Sequence, residues 1–289
     1  MAGNVSTKRP TAGVEELPKK ISRVSSSTIC TEEQKGDVVK WQRSTKPSAT
    51  VKSKPVEHNI CDASVRPDNN TRLQLPFYDK PCVDLAKALL GKRIVRVLDS
   101  EKLCGRIVET ESYLGGDDKA SHSYGSRQTA KNGAMFMPAG TAYVYNIYGI
   151  YTCLNISSKG DGAAVLIRAI DDLQGIKTMR TLRGVRRSDK GERLKEHDLG
   201  NGPSKLTQAM AIDKANTDKA DLTKAEHIWL EDGDEIAEKN VVVTSRIGVS
   251  SAGEEWAQKP LRFYVQGSKG ISVRDKKAEL MLLEMSETK

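Results

Sequence analysis

The sequence predicts a mixed α+β fold: a single domain on a twisted antiparallel sheet, with a protruding β-hairpin and a few flanking helices. Three observations carry this. Short runs rich in Val, Ile, Leu and Tyr recur from about residue 73 onward, bounded by Gly, Asp and Ser turn signals. Only a few segments space their apolar residues at the helical period. The strand-like runs follow one another in hairpin-like order, which favours antiparallel pairing over a doubly wound parallel sheet.

Residues 1–72 stand apart from this pattern. They hold long Ser, Thr, Lys, Asn and Pro-containing stretches with little apolar periodicity. Such a segment cannot bury enough apolar surface to offset its ordering entropy, so a disordered basic N-terminal tail is expected, followed by one domain over 73–289. In that domain, 81–90 (PCVDLAKALL) has helical spacing, with Gly91 as its stop. Residues 92–98 read as a strand, Asp99-Ser100-Glu101-Lys102 as a turn, and 103–114 as the second strand. From Gly115 to Gly140 the chain is rich in Gly, Asp, Ser and Asn, with Met135-Phe136-Met137 as an apolar anchor. That is long for a loop in a compact domain, and long loops are often functional. Residues 142–148 and 150–157 form a strand pair around Gly149. Lys159-Gly160-Asp161-Gly162 is a turn signal, and 163–170 is a further strand. Residues 173–182 and 204–212 have a helical pattern, while 228–231, 241–247 and 261–265 read as strands. There is no internal repeat.

The chain has 289 residues, a formal charge of +8 and only 37 % apolar residues. A positive balance suits a polyanionic partner such as nucleic acid, and equally a basic protein with no such partner. No run of eighteen apolar residues and no apolar segment behind the N-terminus occurs, so neither a membrane partner nor secretion is expected. Acidic pairs at Glu15-Glu16 and Glu32-Glu33 speak against a mitochondrial transit segment. Lys8-Arg9-Pro10 and Lys19-Lys20-Ile21-Ser22-Arg23 are basic clusters of the kind that nuclear import uses, and also of a kind common by chance. Five cysteines at 30, 61, 82, 104 and 153 are odd in number and widely spaced, against a disulfide framework. No Cys-x-x-Cys or His-x-x-x-His occurs, and the four His are dispersed, so neither a metal nor a cofactor is expected.

Two segments carry more polarity and more aromatic rings than core strands need. In RIVETESYLG (106–115), period-two alternation places Ile107, Glu109, Glu111 and Tyr113 on one face. In GTAYVYNIYGIYTCLNISS (140–158), Tyr143, Tyr145, Tyr148 and Tyr151 crowd around Gly149. Aromatic residues are only 5 % of the chain, so this concentration is informative. A carboxylate beside stacked rings suits an enzyme that holds a flat ring and hydrolyses something attached to it. Glu111, Asn155 and Arg168 are polar residues inside apolar strands. A charge buried in a sheet is costly unless paired. One solution pairs Arg168 with Glu111 at the floor of a cleft; a solvent-facing or purely structural ion pair satisfies the spacing as well. Tyr148 precedes a glycine suited to positive φ, which makes it either a wedge between stacked bases or a ring packed on a neighbouring loop. Tyr113 and Tyr145 could likewise be cross-strand core pairs.

The ordered blocks RIVETESYLG, ASHSYGSRQT, MFM, GTAYVYNIYGIYTCLNISSKGDGAAVLIRAI, NGPSKLTQAMAI and KPLRFYVQGS resemble the alkyladenine (3-methyladenine) DNA glycosylase family, over about 75–273. The resemblance implies that residues 73–289 form a DNA glycosylase catalytic domain. It implies extrusion of alkylated or deaminated purines (3-methyladenine, 7-methylguanine, hypoxanthine, ethenoadenine) from double-stranded DNA and hydrolysis of the N-glycosidic bond. By motif, Glu111 is similar to the family's general base, and Arg168 to the residue that helps hold that carboxylate and the water. Tyr113, His122 and Tyr145 match the walls of the base pocket, Asn155 the side chain that clashes with the amino group of normal guanine, and Tyr148 the wedge. Arg127 and Lys205 lie in blocks that contact the DNA backbone. No lysine of the matched motifs stands as a Schiff-base nucleophile, so an abasic product without strand cleavage is expected. A monomer acting in the nucleus is expected, with the tail as an import signal or a docking arm for repair proteins. Asn146, Ile150 and Ala164 are departures that bear on pocket breadth or DNA affinity.

The chemistry is consistent with this. Breaking an N-glycosidic bond builds positive charge on the sugar, which a nearby carboxylate stabilises. The same carboxylate can deprotonate the attacking water. Base–aromatic stacking contributes roughly 1–3 kcal/mol without demanding one hydrogen-bonding pattern. Unstacking costs least at a damaged site, which itself gives selectivity. Two other classes remain open from the residues alone: a non-catalytic module that reads distorted DNA, and a hydrolase of free nucleosides.

Overall fold

One long strand, residues 101–113, pairs with three others and organises the sheet. The computed structural model describes residues 71–147 and 149–287. The expectations for residues 1–70 and the wedge assignment of Tyr148 therefore lie outside the described residues. The elements run α1 (Leu75–Tyr78), α2 (Cys82–Ala88), β1 (Arg93–Leu98), β2 (Glu101–Tyr113), β3 (Ala142–Ile147), β4 (Tyr151–Ser157) and β5 (Ala164–Gln174). They continue with α3 (Ile176–Gly184), α4 (Pro203–Ala209), α5 (Lys214–Thr217), β6 (Ile228–Glu231), β7 (Val241–Thr244), α6 (Glu254–Gln258), β8 (Arg262–Val265) and α7 (Lys276–Glu287).

The strands form one antiparallel sheet in the order β3-β4-β5-β2-β1-β6, with β8 pairing the upper half of β2 and β7 pairing β8. The fold class read from the sequence, mixed α+β on an antiparallel sheet, is the one observed. The β1–β2 turn is Asp99-Ser100 alone, since Leu98 pairs Glu101. Both turn residues have positive φ (47° and 68°), the backbone of a two-residue hairpin whose twist matches its strands. On one face of the sheet, Leu85 of α2, Leu89 just after it and Leu206 of α4 pack with Ile107, Val165 and Ile167. On the other, Val108, Ala169, Val242 and Tyr264 pack with Ala278 and Leu282 of α7. Arg72 is buried and donates from Nε and NH2 to the Leu222 carbonyl at 3.1 and 2.8 Å, so the packed body includes it.

Three expectations change. The alternation along β2 is broken: Ile107 pairs Ile170, Glu109 pairs Ala169, and Thr110 pairs Ile167. Val108 is an extra residue on β2, and Arg168 an extra residue on β5. Ile107 consequently joins the helix-side core, while Glu109, Glu111 and Tyr113 keep their common face; the four do not share one face. The helix expected over 173–182 begins only at Ile176, because β5 keeps pairing β2 as far as Gln174 and Gly175 (φ 83°) then breaks the strand. The strand expected over 241–247 ends at Thr244. The N–H of Ile247, which would have continued a strand, donates instead to the Glu111 carboxylate.

Candidate active site

Strands β2 to β5 and the loop after β7 converge on a cavity of about 310 Å³. That is the small end of the range for small-molecule pockets, which run from about 300 Å³. Tyr113, His122, Tyr145, Asn155 and Arg168 all line it, together with Tyr143, Cys153 and Ile247. Five residues singled out in the sequence are thus brought to one surface from four strands and a loop.

Glu111 lies directly behind that surface. Its side chain is fully buried and is not itself part of the cavity lining. Oε1 accepts from the Ile247 N–H at 2.8 Å and lies 3.2 Å from Arg168 NH1; Oε2 accepts from the Tyr113 hydroxyl at 3.0 Å. All three partners line the cavity. Burial pushes the Glu111 carboxyl up from its ordinary value, against the opposing pull of Arg168, the Ile247 N–H and the Tyr113 hydroxyl. Of the two solutions open for the Glu111–Arg168 pair, the structure takes the buried one, at the edge of a cleft.

The rings form one wall. His122 packs edge-on against Tyr145 with centroids 4.5 Å apart, and Tyr145 stacks on Tyr143 at 5.3 Å. His122 Nδ1 and the Tyr143 hydroxyl are 2.8 Å apart, which fixes the rotation of the imidazole edge-on to both tyrosine rings. Burial lowers the affinity of His122 for a proton. Asn155 is buried and donates from Nδ2 to the Tyr143 carbonyl at 3.2 Å. The loop that carries His122 is docked by close backbone approach: a Cβ on Gly162 (φ 72°) would stand 2.7 Å from Ser123 Cβ.

The fourth ring, Tyr113, is backed by a buried ion pair. Arg246 donates to both oxygens of Asp118, at 2.7 and 2.9 Å, and to the Ser112 carbonyl at 3.0 Å. Its guanidinium lies 4.8 Å from the Tyr113 ring centroid. The Asp118 carboxylate also accepts from the Leu114 and Ala120 N–H groups, at 3.0 Å each. One pair thereby holds the β7 loop, the Tyr113 ring and the start of the His122 loop together.

A second cavity of about 460 Å³ adjoins the ring wall and is lined by His122, Thr129, Lys131, Asn132, Tyr143, Tyr145, Asn146 and Ile147. Arg127 and Lys205 line neither cavity. Arg127 is exposed on the loop after His122, its carbonyl held by Asn132, which also holds the His122 carbonyl. Lys205 is on α4, whose Pro203 lines the first cavity, and donates to Asn201 Oδ1 at 2.7 Å. Asn146 accepts from Thr152, Ala164 is buried beside Tyr143, and Ile150 and Tyr151 stand about half exposed (54 % and 50 %) at the β3–β4 hairpin tip. The sequence reading left Asp118, Arg246, Ile247 and Tyr143 out of the site. Tyr143 was visible within the tyrosine cluster; the others are brought in by contacts spanning more than a hundred residues, such as 128 for Asp118–Arg246.

Residues 76–269 match the methylpurine-DNA glycosylase family. The chain is 55 % identical over 212 residues to a human protein named DNA-3-methyladenine glycosylase, covering 72 % of this chain and 70 % of that one. It is 54 % identical to the mouse protein of the same name over 218 residues, 74 % of this chain, and spans 65 % of that relative's length. A probable DNA-3-methyladenine glycosylase of Encephalitozoon cuniculi is 48 % identical over 192 residues, 66 % of this chain and 88 % of that one. This arrangement of strands, ring wall and buried carboxylate thus comes with a sequence match across the whole sheet, and the chain belongs to the methylpurine-DNA glycosylase family.

Proposed function

We propose that this protein is a monofunctional base-excision glycosylase. It draws a damaged purine out of double-stranded DNA into the ring-walled cavity, hydrolyses the N-glycosidic bond and leaves an abasic site. The observation that carries the reading is a fully buried carboxylate whose two hydrogen-bond donors and ion-pair partner all line a cavity walled by aromatic side chains.

In this reading Glu111 takes the proton from the attacking water, and its charge stabilises the positive charge that develops on the sugar. Arg168 holds the carboxylate and orients the water. Tyr113, His122 and Tyr145 stack on the base; stacking accepts 3-methyladenine, 7-methylguanine, hypoxanthine and ethenoadenine alike, because each offers a flat face. Asn155 rejects guanine by clash with its amino group. Tyr148 fills the gap left in the duplex, and the exposed apolar neighbours Ile150 and Tyr151 support a hairpin tip that enters DNA. Arg127 and Lys205 neutralise phosphates. The basic clusters of the N-terminal segment support nuclear action, and we assign that segment as a docking arm for repair proteins. The catalytic unit works as a monomer in this reading, since one chain supplies both the ring-walled cavity and the carboxylate behind it.

Glu111→Gln tests the base. Glutamine can keep its carbonyl on the Ile247 N–H and Arg168 and point its amide at the Tyr113 oxygen, so the fold is preserved. Release of hypoxanthine from a duplex should fall by a factor on the order of 10²–10⁴, with lesion binding retained. Cleavage at near wild-type rate would remove Glu111 from the role.

A further inference from the structure

The carboxylate assigned as the base is one end of a row of four buried charges. Arg262 NH1 lies 2.8 Å from Glu109 Oε1, Glu109 Oε1 lies 3.1 Å from Arg168 Nε, and Arg168 NH1 lies 3.2 Å from Glu111 Oε1. Each of the four side chains is 9 % exposed or less. Glu109 lines neither cavity, and its Oε2 is buried without a hydrogen-bond partner among the described residues. A buried carboxylate with one oxygen unpaired is costly, so its retention asks for a reason beyond packing.

The bulges supply the geometry. Glu109 and Glu111 share a face by period-two alternation, the extra residue Val108 having sent only Ile107 to the other face, and Arg168 is itself the extra residue on β5. Two acids two residues apart therefore grip one guanidinium by different edges. Arg262 is anchored by the Ser245 and Val273 carbonyls, at 2.9 Å each, and so fixes Glu109 from behind.

We propose that Glu109 is a positioning residue for the reaction: it holds Arg168 by Nε, sets the rotation of the guanidinium, and draws part of its charge away from Glu111. This rests on Glu111 being the base. With Glu109 ionised the row is neutral, two arginines against two carboxylates. Without it Arg168 collapses onto Glu111, and the base becomes a weaker one. The other groups facing Glu111 are accounted for: Tyr113 on the same strand, the Ile247 N–H, Tyr145 on β3 and Cys153 on β4. Burial pushes the Tyr113, Tyr145 and Cys153 protons on more firmly, so these three stay neutral across the working range. Arg246 is occupied by Asp118.

The test is the pH profile of single-turnover excision from a hypoxanthine duplex. A base must be ionised, so activity falls as pH drops through its titration. Glu109→Gln removes a negative charge beside Glu111 and favours its ionised form. The acid limb should move down by about one pH unit, and the plateau should fall about tenfold because a weaker base takes the proton less readily. Glu109→Asp keeps the charge and should return the limb towards its wild-type position. If Glu109→Gln does not fold, the neutral pair Glu109→Gln with Arg262→Met should show the same downward shift. His122→Gln, run alongside, identifies any limb that belongs to the imidazole. An unmoved limb in the folded Glu109 variant, with only its stability lowered, overturns the proposal. Full activity of Glu111→Gln in the same assay overturns instead the reading on which it rests.

Discussion

The ion pair between Asp118 and Arg246 gives the sharpest stability prediction. Both side chains are 0 % exposed, and Arg246 makes two bonds to the carboxylate and one to a backbone carbonyl. Arg246→Met keeps most of the volume and removes the charge. Asp118 is then left as a buried anion with two backbone N–H donors, those of Leu114 and Ala120. Breaking a buried pair from one side typically costs 3–5 kcal/mol, and the two remaining donors place this case at about 3 kcal/mol. With a urea slope of about 3 kcal/mol/M for a domain of this size, the midpoint should fall by about 1 M. The buried indoles of Trp229 and Trp256 report the transition by fluorescence. The double variant with Asp118→Asn removes the stranded charge and should recover about 2 kcal/mol relative to additivity. The guanidinium also backs the Tyr113 ring, so KM for a lesion duplex should rise in the folded variant. A cost under about 1 kcal/mol for Arg246→Met, or simple additivity of the two substitutions, would refute a stranded buried charge at Asp118.

Asn155→Ala should allow guanine to enter, detected as free guanine released from a mispaired duplex; no release would end its assignment as the discriminator. Tyr148→Ser should weaken binding to a lesion duplex on the order of tenfold, the loss of one stacking contact, and unchanged affinity would count against the wedge. Wild-type excision should show an acid limb above the ordinary glutamate value of about 4.3, because burial raises Glu111 and only its ionised form acts. A flat profile down to that pH, in protein that remains folded, contradicts a buried base. Borohydride should trap no covalent DNA complex; a trapped species would point to an amine nucleophile.

Much of the site was legible because its logic is local. Glu111 and Arg168 are charges inside apolar strands, and such charges need partners, so a pairing could be anticipated from the pattern, while its burial behind a cavity could not. The tyrosines around 143–151 stood out by composition, and β3, β4 and the hairpin between them follow from alternation and one glycine. Helix α7 was not legible. Its apolar residues at 280–283 are contiguous, and only Leu282 of these is packed on the β-sheet, so no stripe marks it.

What the sequence by itself determined is the antiparallel class, most of the strands along the chain and five of the residues that line the cavity, Tyr113, His122, Tyr145, Asn155 and Arg168. What only the tertiary structure decided is which way those residues face and what holds them. Side-chain direction along β2 depends on whether a bulge intervenes, and the bulges at Val108 and Arg168 arise from pairing between strands, which no single strand's pattern encodes. The strand expected over 241–247 stops at Thr244, and the Ile247 N–H goes to a carboxylate 136 residues away, because a buried anion demands a donor more strongly than a further ladder position does. Long-range hydrogen-bond demand of that kind is a property of the folded volume and not of any window along the chain.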